Sequence, residues 1–296
     1  MGFKTLWARF IAILTLPLLY LMTAAFLGTV IAYLICVFSQ ASAFDSLVKR
    51  SAQLLLVLGT YPLMRFFRLC SKELGIQGGI GTNFCKTIYQ GFGLGLLIIA
   101  PVLSFQFALG LRYIHGSTAE MIPVVAGKIP FVLMAGFAVA VLEEWVFRGV
   151  FLGLLFRYIP IPAAIIVSAP YFAGLHFVEM SANTPVTLLS GLRMTLMAFS
   201  QWVSRVQWDA FFALFSVGIL LGVVRWRLRS IGYCIGMHAS WVVAIKTTRL
   251  ISDLSEANPW LFLIGDFDGV NGFGTALWLM ICSGILSAWG AKRHDL

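Results

Sequence analysis

The chain has 296 residues, of which 60% are hydrophobic and only 11% charged; soluble proteins average roughly 45–50% and about 25%. A soluble domain this apolar could not cover its own surface with polar groups, so an ordinary cytosolic enzyme, a nucleic-acid binder and a disordered chain are excluded. The formal net charge of +9 calls for no nucleic-acid partner, because basic loops are what orient a membrane protein.

A spanning helix needs about 20 predominantly apolar residues. Apolar runs predict spans over residues 11–38, 52–64, 88–111, 131–156, 161–177, 210–224, 231–244 and 275–290. The fold class is therefore an all-α polytopic membrane protein with about eight transmembrane helices, or seven if 52–64 is re-entrant or interfacial. Twelve basic residues, Lys4, Arg9, Arg65, Arg68, Lys72, Lys86, Arg157, Arg225, Arg227, Arg229, Lys292 and Arg293, then fall on the side of the N-terminus, against eight on the other side (Lys49, Arg50, Arg112, Lys128, Arg193, Arg205, Lys246 and Arg249). That excess puts both termini in the cytoplasm. The first run ends before Ala41-Ser42-Ala43, which resembles a cleavage site, but it far exceeds the 7–15 residues or so of a signal-peptide core and reads as a signal anchor. The segment 184–202 is apolar and basic and reads as a transverse helix.

No internal repeat interrupts the chain, which reads as a single membrane domain, 1–296. Within it lie N-terminal spans (1–127), a core carrying the ionisable motifs (128–247), and a loop with the last span (248–296). Cys36, Cys70, Cys85, Cys234 and Cys282 are scattered with no Cys-x-x-Cys pair, so neither a disulfide framework nor a cysteine zinc site is expected.

A charge inside the bilayer costs several kcal/mol, and such a residue is a functional candidate by default. The fourth span reads Val141-Leu142-Glu143-Glu144-Trp145-Val146-Phe147-Arg148. Glu144 and Arg148 are four apart and share a helix face, where they can pair. Glu143 points about 100° away. One carboxylate thus has a partner and the other is left over, and a desolvated carboxylate suits a general base. The other reading of Glu144 and Arg148 is a buried network that ties helices together. The fifth span carries Phe172 and His176, and the seventh His238, Ser240 and Trp241. The hairpin between spans four and five turns near residues 158–161, which puts Glu143 and His176 at one depth, roughly 25 Å from the turn at about 1.5 Å per residue. His238 lies close in sequence to the basic stretch 225–229, and the same count makes it shallower. Either that stretch is recessed or a helix is irregular.

In order, Glu-Glu-x-x-x-Arg (Glu143, Glu144, Arg148), Phe-x-x-x-His (Phe172, His176) and a later histidine (His238) resemble the CAAX-prenyl-protease and bacteriocin-processing family (Abi, CPBP) of intramembrane glutamic endopeptidases. The resemblance covers about residues 130–245. It implies that Glu143 activates a water that attacks a peptide bond, while His176 and His238 hold the water or stabilise the oxyanion. Glu144 and Arg148 would orient the site or receive the substrate. One position departs from the pattern. Many members carry asparagine four residues after the last histidine, where this chain has Val242. The Trp241 indole or the Ser240 hydroxyl is the candidate replacement donor.

The implied function is an intramembrane endopeptidase acting on a peptide or protein substrate presented at the lipid bilayer. No cofactor and no nucleic acid are expected, and the form of the last motif points to a bacterial inner membrane. Zinc held by Glu143, His176 and His238 is a minor alternative, since a carboxylate with two imidazoles is a legitimate catalytic set. The alternative function is a non-catalytic membrane binding protein or a proton-coupled transporter. The segment Gly265-Asp266-Phe267-Asp268-Gly269 lacks the flanking residues of an aspartyl protease and is expected to cap or turn an outer loop.

Overall fold

The computed structural model describes residues 3–39, 43–76, 81–178, 185–255 and 257–291. Its helices are α1 (Phe3–Ser39), α2 (Phe44–Leu58), α3 (Thr60–Phe67), α4 (Thr82–Ala108), α5 (Thr118–Glu144), α6 (Leu152–Tyr158), α7 (Ile161–Leu175), α8 (Leu188–Ser200), α9 (Trp208–Leu228), α10 (Ile231–Ile251) and α11 (Phe273–Ala291). A π-helical stretch, Trp145–Phe151, joins α5 to α6. Two short strands, β1 (Arg112–Ile114) and β2 (Ser252–Leu254), form an antiparallel ribbon with Tyr113 opposite Asp253. The chain is an all-α membrane protein. Among the described residues, four stretches are long and apolar enough to cross a bilayer: Thr15–Ser39, Asn83–Ala108, Met121–Tyr158 and Trp208–Leu228. Ile161–Leu175, Leu188–Ser200 and Phe273–Trp289 are shorter apolar helices.

The expected span 52–64 is not one helix. It breaks at Gly59 into α2 and α3, of 15 and 8 residues, each too short to span at 1.5 Å rise per residue or so. Each has one packed side and one bare apolar side. Leu54, Leu58, Tyr61 and Phe66 are exposed, beside Arg65 and Arg68. The expected transverse helix is α8, capped by the Thr187 hydroxyl, which accepts from the Ser190 amide. Thr184 lies outside the described residues, as do Ala41-Ser42 of the cleavage-like sequence.

The chain packs as two units, 1–68 with 174–206 and 69–173 with 207–296. The division does not follow sequence order, and it cuts α7 after Ala173. In the first unit α1 packs on α2 and α8. Lipid tails give little hydrophobic drive between helices, so close packing of small residues does the work. Gly28 of α1 sits against Ala52, where a Cβ would come within 2.7 Å of the backbone. Thr29 and Thr195 share a 2.9 Å hydrogen bond across α1 and α8. Phe44, Val48, Ala32, Cys36 and Met194 close the core.

In the second unit α10 is central, packed against α4 and α5, while α11 lies along α9. Close approach of α4 and α10 is possible because Gly91 and Gly95 face Tyr233 and Met237, and Gly236 faces the Ile88 carbonyl. These are small-x-x-x-small pairs on both helices. The Trp241 indole bonds across to the Gly95 carbonyl at 2.9 Å, and Trp278 of α11 does the same to Ile98. This packing fixes the face that α10 presents to α5.

Candidate functional site

The site is built on the long helical rod formed by α5, the π stretch and α6, and on the middle of α10. A π turn is rare and recurs at functional positions. Here it starts directly after Glu144 and contains Arg148. Glu144 is 0% exposed, Arg148 3% and His238 7%. Arg148 Nη1 donates to Glu144 Oε1 at 3.0 Å, and His238 Nδ1 lies 2.9 Å from the same oxygen. A carboxylate is an acceptor only, so Nδ1 carries the proton of that bond. The ring's other nitrogen, Nε2, is not among the buried side-chain atoms that lack a partner. Glu144 Oε2 and Arg148 Nη2 are buried without a hydrogen-bond partner among the described residues.

Phe172 of α7 closes this cluster from the side. It is 1% exposed. The Arg148 guanidinium carbon stands 4.2 Å from its ring centroid, a cation–π geometry worth about 2 kcal/mol when desolvated. The ring also meets His238 and Phe147 edge to face, at 6.1 and 5.3 Å between centroids. Phe172 therefore packs against both the guanidinium and the imidazole.

Glu143, one residue before Glu144, is half-buried. The structure thus brings Glu144, Arg148, His238 and Phe172 into contact and sets Glu143 beside them. His176 falls in the first unit, one residue past the end of α7, where Phe177 and Val178 close a turn back onto Gly174 and Leu175. It is half-buried, and the Gly174 carbonyl of that turn is held by the Trp202 indole at 2.6 Å.

Neither candidate replacement for the missing asparagine has its donor free. The single N–H of Trp241 is spent on the Gly95 carbonyl, and the Ser240 hydroxyl donates to Met237 at 2.7 Å. Trp241 holds helices together, and the donors seated on the Glu144 carboxylate are Arg148 and the His238 ring. Among the described residues, no group of three or more His, Cys, Asp and Glu is arranged to hold a metal.

The shallow count for His238 has a physical explanation. Arg225 is only 5% exposed. It is recessed under residues 69–76, where its Nη2 donates to the Glu73 carbonyl at 2.7 Å. Arg225 therefore does not mark the surface, whereas Arg229, at the end of the stretch, is exposed. Sequence reasoning also missed the π stretch and Glu73. Glu73 takes bidentate bonds from Arg157, at 2.5 and 2.6 Å from Nη2 to its two oxygens. The available signal was the spacing Gly149, Gly153, Arg157 on one helix face.

Residues 125–244 match the family model described as Rce1-like, type II CAAX prenyl endopeptidase Rce1-like. This is the CAAX-protease family that the motifs resemble, and the matched segment holds all the motif residues. The match covers 120 of the chain's 296 residues, and over that segment the chain is similar to a CAAX-protease-like protease. No curated protein and no solved structure gave a match.

Proposed function

We propose that this protein is an intramembrane endopeptidase in which Glu143 activates a water for attack on a peptide bond. His238 and His176 position that water and stabilise the oxyanion. The supporting observation is the way Glu144 Oε1 holds both Arg148 and His238 Nδ1 in a dry setting. A carboxylate on one ring nitrogen fixes the tautomer and aims the other nitrogen at the chemistry. Glu144 is then the orienting acid, neutralised by Arg148, and Glu143 remains for the base role. Preorganised donors at developing charge commonly supply the largest part of such a rate enhancement. The loss of an asparagine donor at Val242 leaves more of that work to the imidazoles.

The substrate is a peptide or protein held at the bilayer, and a prenylated C-terminal peptide is the first candidate, because the matched family is described by that substrate. The membrane is a bacterial inner membrane with both chain ends in the cytoplasm. The mechanism uses no metal and no cofactor. Cleavage that persists in chelator supports this, and loss of cleavage restored by zinc contradicts it.

The test is an internally quenched peptide ending in farnesylated Cys-aliphatic-aliphatic-X, with its unprenylated twin, incubated with the full chain in vesicles. Comparative proteomics of membranes carrying wild type or Glu143→Ala identifies natural substrates. Cleavage lost in Glu143→Ala and His238→Ala, with insertion intact, supports the reading. Binding of peptide without cleavage by the wild type favours a non-catalytic role.

A further inference from the structure

Residues 69–76 form a compact turn, closed by bonds from the Leu74, Gly75 and Ile76 amides to the carbonyls of Cys70, Lys72 and Ser71. The turn ends at Gly75 with φ of +76°, a left-handed conformation that favours glycine. It lies along one face of the rod that carries the candidate site. A methyl built on Gly149 would stand 3.7 Å from the Leu74 carbonyl oxygen, and one on Gly153 only 2.6 Å from that of Glu73. One turn further on, Arg157 grips the Glu73 carboxylate through Nε and Nη2. Gly149, Gly153 and Arg157 are four apart, so they form one stripe.

The same turn reaches two other helices. The Glu73 carbonyl accepts from Arg225 near the end of α9. The Gly75 carbonyl accepts from the Ile231 amide at the start of α10, at 3.1 Å. An arginine this buried, with a carbonyl as its hydrogen-bond partner, is costly to place, and Gly75 leaves the room its guanidinium occupies. Arg148 is the residue next to Gly149, and His238 is two helical turns beyond Ile231.

We propose that residues 69–76 act as a strap that sets the register of the Glu144–Arg148 helix against the His238 helix, which makes Glu73 a positioning residue for this site. The inference rests on the proteolytic reading for its effect on rate. Its structural part stands on the bonds just described. A π stretch is easily rewound, because its extra residue can be passed along the helix. A clamp on Gly149, Gly153 and Arg157 on one side, and on Ile231 on the other, resists that rewinding. The Glu144–His238 bond spans the two clamped helices, so a slip of one of them by a fraction of a turn breaks it.

The test uses the full chain in lipid nanodiscs with Glu73→Gln, Gly153→Ala and the exchanged pair Glu73→Arg/Arg157→Glu. Gly153→Ala displaces the strap with no change of charge. Hydrogen exchange is followed in peptides covering 145–158 and 231–238, and kcat and KM are measured on the farnesylated peptide. Glu73→Gln is expected to speed exchange in both peptides about threefold and Gly153→Ala about fivefold or more, because local opening reports local stability. They are expected to lower kcat by a similar factor at nearly constant KM, and the exchanged pair to recover most of that loss. Unchanged exchange in 145–158 overturns the proposal whether or not peptide is cut. Faster exchange with unchanged kcat also overturns it, since the strap would then be merely structural. A wild type that cuts nothing, while the variants still speed exchange, overturns the proteolytic reading and leaves the strap's hold on the helices supported.

Discussion

Two buried arginines in the second unit are held in opposite ways. Arg112, in the β ribbon, has every guanidinium nitrogen engaged. Nε bonds Gln106 at 2.8 Å, Nη1 bonds Ser252 at 3.3 Å and Nη2 bonds the Gly269 carbonyl at 2.9 Å. The loose end there is a neutral amide nitrogen, Gln106 Nε2. Arg148 has an ionised partner, yet both members of its pair keep one buried polar atom without a hydrogen-bond partner among the described residues. A satisfied polar cluster rigidifies, whereas a half-satisfied one is costly and persists where chemistry needs it. Arg112 is thus a rivet of the fold, and Arg148 belongs to the candidate site.

That contrast can be broken by substitution. The largest expected effect is on His238. His238→Ala should lower kcat by about 10²–10⁴-fold, the range for loss of a positioned acid or base, with the melting temperature measured alongside. Arg112→Ala should do the reverse. It strips a buried cluster of its centre and should cost about 3–5 kcal/mol of stability, read by thermal unfolding in detergent, with kcat unchanged in the surviving folded protein. Equal losses of activity in the two variants would erase the distinction. Glu144→Gln should fall between them. It weakens the grip on both Arg148 and His238, so kcat should fall by roughly 10–100-fold and stability with it.

The smallest expected effect concerns pH. Burial alone would raise the Glu73 carboxyl, but the Arg157 bonds and the Cys70 amide hold it below its ordinary 4.5. A depressed native pKa stabilises above the unfolded value and is lost as pH falls through the folded one. The melting difference between wild type and Glu73→Gln should therefore be present at pH 7 and close below about pH 4.5. The pair is partly exposed, so it is worth under about 1 kcal/mol. Asp268 runs the other way. Burial raises its carboxyl, against the pull of the Asn271 and Val270 amides and of Arg249 and Arg112. A raised carboxyl favours the native state in acid and loses that advantage as pH rises through its native value. Asp268→Asn should therefore be least harmful at neutral pH, where a melting curve against wild type reads it.

Much of this was legible in the sequence. Apolar runs located the helices α1, α4, α9, α10 and α11 to within several residues, and of these α1, α4 and α9 are long and apolar enough to cross a bilayer. The turn between the rod and α7 falls at Ile159–Pro160, where a missing amide and a fixed φ end a helix. The four-residue spacing foretold the Glu144–Arg148 pair. The contact between Glu144 and His238 was not legible, since it depends on how deeply α10 sits. That depth is set by glycines 91 and 95 on α4 and by a strap distant in sequence. The break at Gly59 was missed for a similar reason. Residues 52–64 are apolar enough to span, but α2 and α3 each pack one side and leave the other bare. The turn at Asp268 was read correctly as a loop cap, since its Oδ1 takes the Val270 and Asn271 amides.

The most direct measurement is cleavage of the farnesylated peptide by wild type, Glu143→Ala and Glu143→Gln at equal inserted protein, with hydrogen exchange confirming that 145–158 and 231–238 are unaltered. The account expects cleavage by the wild type, loss to background in both variants, and an intact Glu144–His238 framework. Cleavage that survives in Glu143→Gln at near wild-type rate would contradict it, because the base would then be a different group.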